Sequence, residues 1–429
     1  MARAVNAVGA EAGLNLAYGR ASITHWSSGR RPRDPVPALI AEALSRRLKR
    51  PLSSEEAGFG KDHRSWWSRS LPVQLNELAA AAGSNRRAFR RVCVYQATAL
   101  DVPTWLDAQG ARSASAAVSS EAGGNEPGLE LQLATDMLRF FARMDQSYGA
   151  GFMRPAASAF LAYLIGPWLD LSTTAAAPRA ELMSLCSQLA HLCGFMSFDD
   201  ESHGPAQRFY RTSLVMAADL DRPDEYAWTL RAMSAQAHHL GHFGAALRLA
   251  ETAAAPDLAV LTKASLAGQT AVARAATGAR RQAMRDLERA EDLLGRAPAQ
   301  STRPVGTYHG AVLSYEKAAV HAHLRDHRAA LAALEEALPR WSAYERRSRA
   351  ITLARLAELQ LRQGRPEEAI SVGHRLLDDY ALIRSTRIRK ALADLRAGLR
   401  PFSKNRAVNA FLRRAGQSII SRPSPTRNL

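Results

Sequence analysis

The residues of this 429-residue sequence best suited to chemistry are clustered histidines, three cysteines and one run of acids. His238-His239-x-x-His242 sets two imidazoles four positions apart, which on a helix is metal-ligand spacing. No HExxH glutamate accompanies them, and Leu240-Gly241 reads as a turn, so a histidine-rich junction between helices is expected. His321, His323 and His327 carry the same expectation. Cys186 and Cys193 share one helical stripe but lie too far apart on a single helix for a disulfide, and are expected to be core thiols. Asp199-Asp200-Glu201 is expected to be a solvated turn ahead of a helix. The sequence holds no phosphate-cradling glycine loop, no nucleophile elbow and no carboxylate pair in a catalytic setting. The expectation is a protein that is not an enzyme, with no metal site and no cofactor.

Positive charge is the second chemical signal. The chain carries 57 Lys and Arg against 40 Asp and Glu, a net charge of +17. Residues 1–70 hold 12 basic and 6 acidic side chains, and residues 384–429 hold 12 basic groups against the single acid Asp394. Residues 71–127 balance at 5 and 5, and residues 128–383 at 28 and 28. Arginine makes up 51 of the 57 basic residues, yet a coding bias toward arginine would not leave the long middle neutral. Two basic ends point to contacts with a polyanion. No stretch approaches the ~18 uninterrupted apolar residues of a membrane span, and no signal-peptide core follows Met1. Three cysteines without CxxC spacing suit a reducing compartment, so a cytoplasmic protein without membrane contact is expected.

Elements that could position these groups are helical. Alanine and leucine recur every three to four positions from Leu129 almost to Leu399, without sustained alternation of β-branched residues, which predicts an all-α fold. One unit repeats. Gly241-His242-Phe243-Gly244-Ala245-Ala246-Leu247 leads to Ala253, and Gly278-Ala279-Arg280-Arg281-Gln282-Ala283-Met284 leads to Ala290. Arg325-Asp326-His327-Arg328-Ala329-Ala330-Leu331 leads to Ala337, and Gly364-Arg365-Pro366-Glu367-Glu368-Ala369-Ile370 leads to Leu376. The alanines Ala246, Ala283, Ala330 and Ala369 are 37, 47 and 39 residues apart. A weaker copy places Ala206 and Ser213 forty residues before Ala246 and Ala253. Small residues seven apart mark the stripe where a partner helix approaches closely, and a glycine or polar turn before them reverses the chain. One such hairpin cannot bury its own apolar face, so several must stack. Over residues 178–380 these units resemble tetratricopeptide repeats, with spacings longer than the strict family length. The resemblance implies an α-solenoid whose concave surface takes a peptide, protein or small-molecule signal.

The first sixty residues have another design. Ala4, Val5, Val8 and Ala12 share one face of a short helix ended by Gly13. Residues 20–29 read as a second helix closed by Gly29, and a third runs from Val36 to Leu48 with Leu39, Ile40, Ala43, Leu44 and Leu48 inward. Ser22-Ile23, Gly29, the basic residues with Pro32 and Ala43-Leu44 make this segment resemble a helix-turn-helix domain of the Cro/repressor type. The loop 13–19 is longer than that family's turn, and the family places another helix ahead of Ala2, so a true start upstream of Met1 is expected. The resemblance implies that Arg20, Ser22, Thr24, His25 and Ser27 face base edges while Ile23 and Trp26 are core. It implies that Arg30, Arg31 and Arg33 hold phosphates.

Residues 85–89, Asn-Arg-Arg-Ala-Phe, resemble a twin-arginine export motif, but they lie behind a basic domain and are expected to belong to a connecting helix. Residues 75–91 could alternatively be a second, degenerate helix-turn-helix. Residues 110–128 read as a flexible linker and residues 422–429 as a disordered tail. The helix expected at 405–415 could cap the repeats, touch DNA phosphates, or meet an acidic partner or membrane surface. The expected divisions are therefore 1–60 helix-turn-helix, 61–127 connection, 128–383 repeats and 384–429 basic cap and tail. Together these parts resemble actinobacterial regulators with an N-terminal helix-turn-helix and C-terminal tetratricopeptide-like repeats. That resemblance implies a homodimer controlling transcription from duplex DNA. The competing expectation is a repeat-based interaction adaptor that does not read DNA sequence.

Overall fold

A computed structural model describes residues 1–59, 74, 93–113, 128–169, 176–255, 257–298 and 307–420. The twin-arginine-like run, the second helix-turn-helix reading, residues 114–127 of the expected linker and the 422–429 tail lie outside them. Among the described residues the chain is all-α, with eighteen α-helices, three short 3-10 turns and no strand. None of these helices is long and apolar enough to cross a membrane. Two compact units form: residues 1–141 with 154–308, and residues 142–153 with 309–429. These units differ from the expected divisions, because the N-terminal helices share buried polar contacts with the first repeats.

In the first unit, α1 (Ala2–Glu11), α2 (Arg20–Ser27) and α3 (Val36–Leu48) open the chain. Val5, Val8 and Ala12 pack on Val36, Leu39, Ile40 and Ala43, the apolar faces expected of α1 and α3. Leu48 departs from expectation and is exposed. The helix ends at Lys49 in the left-handed conformation, the chain turns back, and Leu52 is buried instead. After a 3-10 turn at Ala97–Leu100 come α4 (Trp105–Ser113), α5 (Gly128–Tyr148) and α6 (Ala150–Leu169), of which residues 142–153 belong to the second unit. Residues 110–113, expected as the start of the linker, belong to α4.

The repeats of this unit are α7 (Ala176–Asp199), α8 (His203–Asp219), α9 (Pro223–His239), α10 (Phe243–Thr252), α11 (Val260–Ala276) and α12 (Arg280–Arg296). Each packs on the next, and α9 also packs on α11, which is solenoid stacking. In the second unit α13 (Gly310–His323), α14 (His327–Ala337), α15 (Arg346–Arg362), α16 (Pro366–Tyr380), α17 (Thr386–Leu399) and α18 (Arg406–Ile420) follow the same rule, with α15 against α17 and α16 against α18. Val408, Phe411 and Ala415 of α18 are fully buried, so the C-terminal helix packs down as a cap.

The spacing argument holds at residue level. Ala206, Ala246, Ala283, Ala290, Ala330, Ala337, Ala369 and Leu376 are 0% exposed, with Ser213 and Ala253 at 1%. Burying a small residue there lets the neighbouring helix come close. Gly241, Gly278 and Gly364 take positive φ at the hairpin turns, where a left-handed residue closes one helix and starts the next. Glu201, Asp221 and Arg325 occupy the same conformation at the other turns.

Candidate functional site

Two surfaces bear on the expectations. The first is α2. Asn6 clamps the loop that leads into it: its Nδ2 donates to the Tyr18 carbonyl at 3.0 Å, and its Oδ1 accepts from the Tyr18 amide at 3.0 Å. Tyr18 then meets Trp26 edge to face at 4.9 Å, which seats the helix. No residue of α2 is fully buried. Ile23 and Trp26, expected as core, are half-buried: Trp26 packs, together with Tyr18, against the margin of the α1–α3 core rather than inside it. Arg20, Thr24, His25 and Ser27 are exposed and Ser22 is half-buried. The hydroxyls of Thr24 and Ser27 donate back to the carbonyls of Arg20 and Ile23 at 3.3 and 2.9 Å. Arg30, Arg31 and Arg33 are exposed just beyond. The expected base-facing and phosphate-facing residues thus share one solvent-facing stretch.

A buried polar network that spacing did not reveal is centred on α3. Glu42 of α3 is 1% exposed and accepts from Arg46 at 2.8 Å and from the Ala97 amide at 3.2 Å. His242 Nε2 lies 2.8 Å from Oε1, the same carboxylate oxygen that takes Arg46, and its ring stacks on Tyr95. Arg46 forks onto Glu11 with two 2.8 Å bonds. Burial works against the charge on Arg46, yet the carboxylates of Glu11 and Glu42 outweigh it and hold the guanidinium more firmly protonated. The α3 scaffold of the N-terminal helices is therefore pinned to the α9–α10 turn.

The second surface lies in the second unit, a groove of about 730 Å³ along α15 and α16. Leu338, Trp341, Leu353 and Val372 supply apolar walls, and Arg349, Gln360, Arg375 and Asp379 supply polar ones. The Trp341 indole is fixed by a 3.0 Å bond from Nε1 to Thr352 Oγ1. Arg349 donates to Asp379 at 2.9 Å, and this bond, working against burial, raises the arginine's proton affinity. Gln360 Oε1 is buried without a hydrogen-bond partner among the described residues.

The histidine expectation is redistributed. α9 ends at His239, so His242 does not share its face with His238 but precedes α10 and meets Glu42. Nor is the acidic run a solvated turn: Asp199 is 0% and Glu201 8% exposed, and Asp200 accepts from Arg154 at 2.9 Å. Cys186 and Cys193 are buried, free thiols, as expected of core residues.

Residues 310–380 match the tetratricopeptide repeat family, which covers the hairpins α13–α14 and α15–α16 and the groove between them. Residues 1–60 match a family described as the SP15 N-terminal domain, a description that names no helix-turn-helix. No curated protein matches the chain. The C-terminal repeats are thus tetratricopeptide-like, and repeats of this kind support a role in protein interaction.

Proposed function

We propose that this chain is a DNA-binding regulator in which α2 reads duplex DNA and the α15–α16 groove holds an extended segment of a partner protein. The observation that carries the DNA reading is α2 itself: a helix without a buried residue, turning Arg20, Thr24, His25 and Ser27 outward beside Arg30, Arg31 and Arg33. Arginine and histidine donors suit base edges in the major groove, and the flanking arginines suit phosphates. A homodimer would set two such helices roughly 34–36 Å apart on a palindrome. The groove supports the partner half through its apolar wall of Leu338, Trp341, Leu353 and Val372, set beside the polar Arg349, Arg375 and Asp379.

Selection from a random duplex library by the full chain at near-physiological salt tests the DNA half. Enrichment of one motif, an inverted repeat above all, is the expected result. Binding without enrichment, or none, overturns it and leaves the adaptor reading, which the groove favours independently. For that half, a displayed library of random peptides is expected to enrich a motif on the full chain, and Gln360→Leu and Arg375→Glu are expected to abolish the enrichment.

A further inference from the structure

Three side chains from two different turns of the first unit meet where neither the DNA-reading helix nor the groove uses them. Glu201 sits at the α7–α8 turn, His203 begins α8, and His239 ends α9. His239 Nε2 lies 3.0 Å from Glu201 Oε1, and His203 Nε2 lies 3.6 Å from Glu201 Oε2. One ligand atom from each of the three falls within 4.8 Å of the others. An ion bound at 2.0–2.2 Å by tetrahedral donors would space them ~3.4 Å apart, so the three atoms already bracket that arrangement. His203 is 1% exposed, and neither of its ring nitrogens has a hydrogen-bond partner among the described residues. A buried imidazole in that state is costly unless something takes its lone pair.

We infer that Glu201, His203 and His239 form a binding site for a divalent transition-metal ion of the zinc type. Two imidazoles and one carboxylate favour such an ion over magnesium or calcium, whose sites are built from oxygen. Phe198 flanks both rings, edge-on to His239 at 5.3 Å and tilted to His203 at 5.8 Å, an apolar neighbour that helps to fix their orientation. Glu201 holds φ 55°, a conformation that glycine supplies at three other hairpin turns, and this aims its carboxylate at the end of α9. His239 is the exposed member, so the fourth position opens to solvent and takes water or a small exogenous ligand. The ion would tie the α7–α8 turn to the end of α9.

The test is titration of the untagged full chain with zinc sulfate by calorimetry, and with cobalt(II) followed by visible absorption. The expected result is one ion per chain, cobalt bands of a low-coordinate site, and a melting temperature raised by zinc and restored by EDTA. Loss of a ligand should weaken binding by more than the roughly 10–100-fold typical of an outer-shell partner. His203→Ala and His239→Gln should both show this, while His238→Ala should not. Because His203 is buried, unchanged helicity in the exposed His239→Gln variant guards against misfolding as the cause. Absence of stoichiometric binding by the unaltered chain overturns the site and leaves a carboxylate–histidine cluster. Binding that survives both His203→Ala and His239→Gln overturns it equally.

Discussion

Glu42 Oε1 and His242 Nε2 lie 2.8 Å apart, though 200 positions separate them in the chain, and both side chains are buried. This pair joins the core of the N-terminal helices to the turn of a repeat hairpin. Arg46 and the Ala97 amide complete the bonding of Glu42, so its charge is enclosed by donors rather than left in an apolar interior. Whatever α2 contacts is held on a scaffold that the repeats help to build.

Glu42→Ala should therefore destabilise the chain by about 3–5 kcal/mol, because it leaves Arg46, the His242 imidazole and the Ala97 amide without the buried carboxylate they share. His242→Ala removes only one of the donors around Glu42 and should cost roughly 1–3 kcal/mol. Urea unfolding of the two variants checks the order, which reverses if the histidine is the anchor.

On α2, Arg20→Ala should weaken binding to a selected duplex by about 1–3 kcal/mol and relax preference at one base position. Arg30→Ala, Arg31→Ala and Arg33→Ala should each weaken binding evenly across sequences and lower the salt slope by about 1. Titrations at several salt concentrations separate the two kinds of loss. None of these four changes should alter the urea midpoint, since all four side chains are exposed.

Two glycines should respond differently to alanine. At Gly278, φ is +88° and an added Cβ meets open space, so the cost is conformational, roughly 1–2 kcal/mol. At Gly204 an added Cβ would collide with the backbone carbonyl of Cys93, which cannot move as a side chain can. Thermal melts should show Gly204→Ala to be the more damaging of the two.

Burial pushes the thiols of Cys186 and Cys193 up to about 12. An unfolded thiol titrates near ~8.5, so above that value the unfolded chain loses protons that the folded chain keeps. Stability from this source is complete below ~8.5 and falls as pH rises toward 12. Urea midpoints at pH 7.5 and pH 10 measure the fall, and a Cys186→Ala, Cys193→Ala variant should show less of it. Alkylation of both thiols at pH 8 should require denaturant.

The repeats were legible because their determinant is periodic. A helix crossing demands a small residue every second turn, so Ala283 and Ala290 announce it in linear order and the structure buries both. The turns were legible for a related reason, since Gly241, Gly278 and Gly364 fill left-handed positions that favour glycine. Glu201, His203 and His239 were not, because two turns of different hairpins must first be stacked to bring them together. Linear spacing favoured His238 with His242 instead, a pairing that the end of α9 at His239 breaks. Glu42 escaped for the same reason: its partner His242 lies in another part of the chain. The polar face of α2 could be read from residue types, whereas its shallow seating on Tyr18 depends on the Asn6 clamp, which leaves no periodic trace.

Because no residue of α2 is fully buried, its outward positions contribute little to whether the chain folds. Substitutions at Arg20, Thr24, His25 or Ser27 change what the surface offers without unsettling the core beneath it. On the proposed reading, recognition and foldability are separated along a stretch of eight residues, so that variants there can differ while Asn6, Glu42 and His242 are kept. A family descended from such a protein could acquire new targets by drift on one helix, with the scaffold inherited intact.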